Sequence, residues 1–149
     1  MSQRMDYNAV APDGMKALGG VYGYISHCGL PKSLIDLVFL RVSQINGCAY
    51  CIDMHSRDLI KGGMNIEKLV LVQAWSEAGT LFSDREKSAL GWAETVTKVA
   101  QTHVPDADFE KAKADFSDKE LADLTIAIGL MNAYNRMAIS FRATPAAAK

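Results

Sequence analysis

The segment QINGCAYCIDMHSRDLIKGG, residues 44–63, constrains the fold most strongly, because it joins a helix break to a pair of cysteines. Asn46-Gly47 is typical of a break between two elements, and the two glycines at the far end are typical of a helix end. Cys48, Cys51 and His55 lie between these signals at steps of three and four residues. Such steps place three side chains on one face of a helix. The spacing therefore predicts a helix that begins at the cysteine pair.

The start of a helix favours thiol chemistry. The positive end of the helix dipole stabilises a thiolate and lowers the pKa of the thiol, and only the thiolate is a competent nucleophile. The dipole alone favours Cys48, which lies nearer the helix start. The histidine favours Cys51, because His55 follows it by four residues and can exchange a proton with its sulfur.

Three interpretations of the C-x-x-C pair compete: a dithiol redox centre, half of a structural metal site, or two core cysteines. The remaining soft ligands are Cys28, His27 and His103, and they form neither a second C-x-x-C nor an H-x-x-x-H. We therefore expect no metal. In a reducing compartment such a pair is usually catalytic or metal-binding, and because the other half of a metal site is missing, the redox centre is favoured.

Composition limits the class of protein. The chain has 149 residues, of which 49% are hydrophobic, and this suits one domain, residues 1–149. The net charge of −1 gives no electrostatic case for a nucleic-acid partner or an anionic membrane. We find no apolar run long enough to span a bilayer and no signal peptide at the start, so we expect a cytoplasmic location.

The hydrophobic pattern predicts an all-α fold of about seven helices. Two capping boxes of the S-x-x-E type, beginning at Ser83 and Ser117, mark helix starts. A Met1–Gly14 arm and the tail ATPAAAK flank the helices. The predicted helices are Met15–Ser26, Ser33–Gln44, the cysteine helix, Ile66–Ser76, a helix from Ser83 to about Val99, a short one from Pro105 to about Asp115, and Leu121–Phe141.

These residues also carry a family resemblance. LIDLVFLRVSQINGCAYCIDMHSRDL resembles the core of the AhpD-like alkylhydroperoxidases, within the carboxymuconolactone decarboxylase superfamily. RMDYNAVAPDGMKAL is similar to the usual start of the small members, and SDKELADLTIAIGLMNAYNRMAISFR to their final helix. The resemblance implies an all-helical fold that assembles as a homo-oligomer, either a trimer or a hexamer. It also implies a thiol peroxidase without a cofactor, whose substrate is a hydroperoxide.

The resemblance further implies a proton relay. The family carries an acidic residue twelve positions before the first cysteine, and here that residue is Asp36. It would act with Cys48, Cys51 and His55, with Cys51 attacking and Cys48 resolving. An external dithiol, a lipoyl-protein or a thioredoxin-like protein, would then reduce the disulfide. Asp36 is shorter than the family's usual glutamate, and Tyr50 stands where characterised members often carry a second histidine.

Other interpretations stay open. Asp36 can equally be a surface carboxylate or a partner of Lys32 near the helix start. Cys28 is expected to be a buried apolar residue, His27 a dipole partner at a helix end, and His103 an exposed loop residue. Two other functions also remain: a lactone decarboxylase, whose chemistry does not use a cysteine pair, and a non-enzymatic oligomeric thiol sensor.

Overall fold

The structure is a computed structural model that describes residues 2–148, and these residues form helices and no strand. The all-α prediction is confirmed. Met1, where the predicted arm and domain begin, lies outside the described residues. So does Lys149, where the predicted tail and domain end. The α-helices in chain order are α1 Tyr7–Val10, α2 Pro12–Ile25, α3 Lys32–Asn46, α4 Ala49–Lys61, α5 Ile66–Leu71, α6 Asp84–Thr97, α7 Val99–Thr102, α8 Asp106–Asp115 and α9 Asp118–Phe141, and 3-10 helices span Val72–Glu77 and Ala146–Ala148.

Helix α3 lies at the centre of the molecule. Residues 34–40 are all buried, and the helix packs against α4, α6 and α9. A helix that is apolar nearly all round is stable only when it is covered on several sides. Its side chains belong to two hydrophobic clusters. Phe39 lies in a cluster with residues of α9, and Leu37 lies in a second cluster with residues of α4 and α6. The predicted burial of this helix is confirmed. Because α4 and α9 both pack against α3, they lie beside each other.

Helix starts follow the predicted capping residues. Ser83 and Ser117 each accept a hydrogen bond from the backbone N–H three residues on, and the side chains of Glu86 and Glu120 each accept one from the backbone N–H of the cap residue. Both capping boxes are therefore confirmed. None of the helices formed by residues 2–148 is long and apolar enough to cross a membrane.

The structure differs from the predicted elements at three places. The predicted arm contains α1, which Asp6 caps by accepting bonds from two backbone N–H groups, and α2 already begins at Pro12. The predicted helix Ile66–Ser76 is divided, because Ala74 leaves helical geometry at φ −126° and ψ 31°. The short helix α7 was not among the seven predicted helices. Local capping of very short segments carries no hydrophobic period, so the sequence pattern does not reveal it.

Candidate functional site

The cysteine pair occupies the junction between α3 and α4. Helix α3 ends at Asn46, and its C-cap Gly47 has a φ of 70°, in the left-handed region that favours glycine. Cys48 is the N-cap of α4, and the backbone N–H of Cys51 donates to its sulfur at 3.3 Å. The Cα atoms of the pair are 5.4 Å apart and the two sulfurs are joined as a disulfide. The predicted placement in the first turn of a helix is confirmed.

A polar network holds this junction against α9. Asn135 is fully buried, and its Nδ2 donates to Ser43 Oγ at 3.0 Å. Its Oδ1 accepts from Asn46 Nδ2 at 2.9 Å. Both partners lie in the last turn of α3, just before the cysteines. Buried amides need such partners, so the network fixes the position at which α4 begins.

The two cysteines differ in what they face. Both are buried, with exposed fractions of 1% for Cys48 and 2% for Cys51. Cys51 nevertheless forms part of the wall of a cavity of about 310 Å³, and Cys48 does not. We call this the Cys51 cavity. Its other lining residues are Tyr7, Asn8, Met15, Tyr50, Met54, Met131, Tyr134 and Ala138. A small molecule in the cavity would therefore meet Cys51.

His55 lies one helical turn after Cys51 and is buried, with 4% of its surface exposed. Neither ring nitrogen has a hydrogen-bond partner among residues 2–148, and its ring lies 5.2 Å from that of Phe39. Burial lowers the pKa of His55, and the negative charges of Asp36 and Asp58 only partly oppose this effect. The imidazole is therefore neutral near pH 7 and can accept a proton.

Asp36 is buried in the middle of α3's apolar surface. Its Oδ2 accepts a hydrogen bond from Lys32 Nζ at 2.5 Å. Lys32 is therefore its direct partner, as one of the interpretations from the sequence had it. Within residues 2–148 it makes no hydrogen bond to His55. Its charge nonetheless raises the pKa of the histidine, which places the two groups in the same electrostatic environment. The relay through Asp36 stays a prediction.

The other sequence candidates lie apart from the pair. His27 is exposed and its Nδ1 lies 2.9 Å from the carbonyl oxygen of Gly23, near the end of α2. His103 is exposed, as predicted, whereas Cys28 is half-buried rather than buried. No group of three or more His, Cys, Asp or Glu side chains that could hold a metal ion occurs in residues 2–148.

Sequence reasoning missed several residues at the site. Tyr7 reaches the Cys51 cavity from α1, and Met131 and Tyr134 reach it from α9, far away in the sequence. No local spacing connects them to the cysteines. Asp58 was also missed, although its position three residues after His55 is a detectable helical signal.

Comparison with known proteins identifies the family of this chain. Residues 12–95 match the Carboxymuconolactone decarboxylase family. The uncharacterised protein YdfG of Bacillus subtilis is 34% identical over 140 residues, which cover 94% of this chain and 95% of that protein. The alkyl hydroperoxide reductase AhpD of Bradyrhizobium diazoefficiens is 47% identical over 45 residues, only 30% of this chain and 25% of that protein.

A solved structure extends the likeness to the whole fold. It is that of a protein of unknown function from Agrobacterium tumefaciens, for which an AhpD-type role in antioxidant defence has been suggested. The TM-score is 0.93 at 38% identity, over 97% of this chain and 98% of that one. With a family match that spans more than half of its residues, this chain belongs to the Carboxymuconolactone decarboxylase family.

Proposed function

We propose that this protein is a thiol-dependent peroxidase that reduces organic hydroperoxides through Cys48 and Cys51. One observation carries the proposal: Cys51 is part of a cavity wall while its sulfur lies against that of Cys48. A substrate-facing thiol with a resolving thiol beside it is the arrangement that a two-cysteine thiol peroxidase uses. The similarity to an alkyl hydroperoxide reductase supports the same chemistry.

The reaction balances without a cofactor. The Cys51 thiolate attacks the terminal oxygen of the hydroperoxide, the O–O bond breaks, and the leaving alkoxide takes a proton to become the alcohol. Cys51 is left as a sulfenic acid. The Cys48 sulfur then attacks it, a disulfide forms and water leaves. An external dithiol reduces this disulfide and is itself oxidised to a disulfide.

His55 is the base in this scheme. Because burial lowers its pKa, the neutral ring can take the proton of Cys51 and later return it to the leaving oxygen. Asp36 supports the protonated ring through its charge. Tyr50, which lies in the cavity wall, contacts the substrate in this scheme.

The proposed reductant is a lipoyl-protein or a thioredoxin-like protein. Both cysteine residues are at least 98% buried, so a donor must reach the disulfide through the Cys51 cavity or displace part of its wall. A slender dithiol such as a lipoyl group enters a cavity of about 310 Å³ more readily than a folded protein surface does. Parallel assays with dihydrolipoyl and thioredoxin-type donors distinguish the two.

We expect the enzyme to prefer cumene hydroperoxide to hydrogen peroxide by about 10–100-fold in kcat/KM. Methionine and tyrosine side chains dominate the cavity wall, and burial of a phenyl-sized group contributes about 1.5–3 kcal/mol. Steady-state kinetics with excess dithiol measure this ratio. Cys28→Ser is the control and should keep full activity. Equal kcat/KM for both peroxides would contradict the substrate class, and no peroxide consumption at all would leave a thiol sensor or a lactone decarboxylase.

We also expect a homo-oligomer, a trimer or a hexamer. Helix α2 exposes the large side chains of Val21, Tyr22 and Tyr24, with exposed fractions of 36%, 43% and 50%. Clustered apolar surface of this kind is typical of a subunit contact. Light scattering should give a mass several times 16.2 kDa. Substitution of Val21 and Tyr22 by serine should lower that mass, and a wild-type monomer would contradict the expectation.

A further inference from the structure

A second concave surface lies on another side of His55. It is a groove of about 670 Å³ formed by the start of α3, the end of α4 and the start of α5. Lys32, Asp36 and Asp58 are among its lining residues, and it shares no lining residue with the Cys51 cavity. We call it the acidic groove after its carboxylates Asp36, Asp58 and Glu86, and three lysines, Lys32, Lys61 and Lys68, line it as well. Of its lining residues, the proposed peroxide chemistry uses only Asp36.

His55 lies between the two concave surfaces on helix α4. Cys51, in the wall of the Cys51 cavity, precedes it by four residues, and Asp58, in the acidic groove, follows it by three. Asp58 Oδ2 is 3.9 Å from His55 Nδ1. A bridging water or a small side-chain rotation is enough to join two groups at that separation. His55 is therefore placed to exchange protons with Cys51 on one side and with Asp58 on the other.

Two carboxylates compete to partner His55. The charged groups that act on the ring are Asp36 and Lys32 from α3 and Asp58 from α4. Asp36 is only 9% exposed, and its Oδ2 already accepts a hydrogen bond from the Lys32 ammonium at 2.5 Å. Asp58 has 41% of its side chain exposed, and among residues 2–148 its carboxylate has no other hydrogen bond or ion pair.

We propose that Asp58 is the residue through which His55 exchanges protons with solvent, so that the acidic groove is a proton port separate from the substrate cavity. The inference rests on the proposed function and names a residue of the same site. Asp58 touches no reacting atom, so it is a positioning and relay residue. It is needed most when the disulfide is reduced.

The reductive half-reaction needs proton uptake by the enzyme. The Cys48–Cys51 bond breaks, the external dithiol closes to a disulfide, and each cysteine sulfur ends with one proton. The external dithiol releases two protons to solvent. The proton that Cys51 receives arrives from the acidic groove through Asp58 and His55. In the peroxide step the Cys51 proton passes to the alkoxide inside the site, so that step depends less on Asp58.

The first test is the titration of the His55 ring, followed by NMR in the reduced protein. Asp58→Asn should lower the pKa of His55, because a negative charge 3.9 Å away is removed. Glu67→Gln is the matched control: it removes the same charge from an exposed residue of α5 outside the groove. Equal titrations in Asp58→Asn and Glu67→Gln would overturn the proposal. This measurement needs no peroxidase activity, so it separates the relay from the proposed function.

The second test is the rate at which dithiothreitol reduces the preformed disulfide, followed by thiol labelling against pH. Asp58→Ala should slow this step by up to about 10²-fold, the lower end of the range for loss of an acid or base. Formate, a small carboxylic acid that fits the groove, should restore the rate in Asp58→Ala and not in His55→Ala. Loss of rate in Asp36→Asn, with normal rates in Asp58→Ala and Glu67→Gln, would assign the relay to Asp36 and refute the proposal.

Discussion

Cys51→Ser should abolish both peroxide consumption and sulfenic acid formation, whereas Cys48→Ser should still react once and stop at a sulfenic acid on Cys51. Cys51 lines the cavity that a peroxide would enter, and Cys48 does not. Without Cys48 there is no thiol next to Cys51 to condense with the sulfenic acid. Dimedone labelling followed by mass spectrometry identifies the modified cysteine in each variant.

If Cys48 were the attacking thiol and Cys51 the resolving one, the same variants would give the opposite result. The helix dipole favours Cys48, which is the N-cap of α4. Sulfenic acid trapped on Cys48 in Cys51→Ser, with none on Cys51 in Cys48→Ser, would reverse the roles. In the wild type, mild oxidation should link Cys48 to Cys51, and Cys28→Ser should leave this linkage unchanged.

His55→Ala should slow the reaction of Cys51 with peroxide by about 10²–10⁴-fold, the usual loss when a general base is removed. The remaining thiol must lose its proton to solvent, so its reactivity should appear only at higher pH. In the wild type the lowered pKa of His55 keeps the ring neutral, and activity should fall only when the pH drops through that lowered value. Alkylation rates of Cys51 against pH measure both effects.

The same histidine should make the fold sensitive to acid. In the unfolded chain His55 has an ordinary pKa of about 6.5 and takes up its proton before the buried ring does. The free energy of unfolding should therefore fall as the pH drops from about 6.5 towards the lowered pKa in the folded protein. His55→Gln removes this dependence while filling a similar volume. Urea unfolding of both proteins at several pH values is the measurement, and parallel curves would remove buried His55 as the cause.

Local rules determined the core of the site. The steps of three and four residues between Cys48, Cys51 and His55 require only a helix, and the Asn46-Gly47 break places its start. Serine capping boxes at Ser83 and Ser117 likewise act within one turn. These features are set by backbone geometry over a few residues. For that reason the sequence alone predicted them, together with the buried central helix.

Tertiary packing decided everything that depends on distant parts of the chain. Tyr7 of α1 and Tyr134 of α9 both line the Cys51 cavity, and no periodic pattern in the sequence records that they meet there. For Asp36 the sequence left two partners open, and the structure supplied Lys32 as the direct one. Asp58 became a candidate only when His55 was found buried with both ring nitrogens unpartnered among residues 2–148. Spacing along a helix determines which side chains share a face, whereas burial and opposing charges arise from the elements that cover that face.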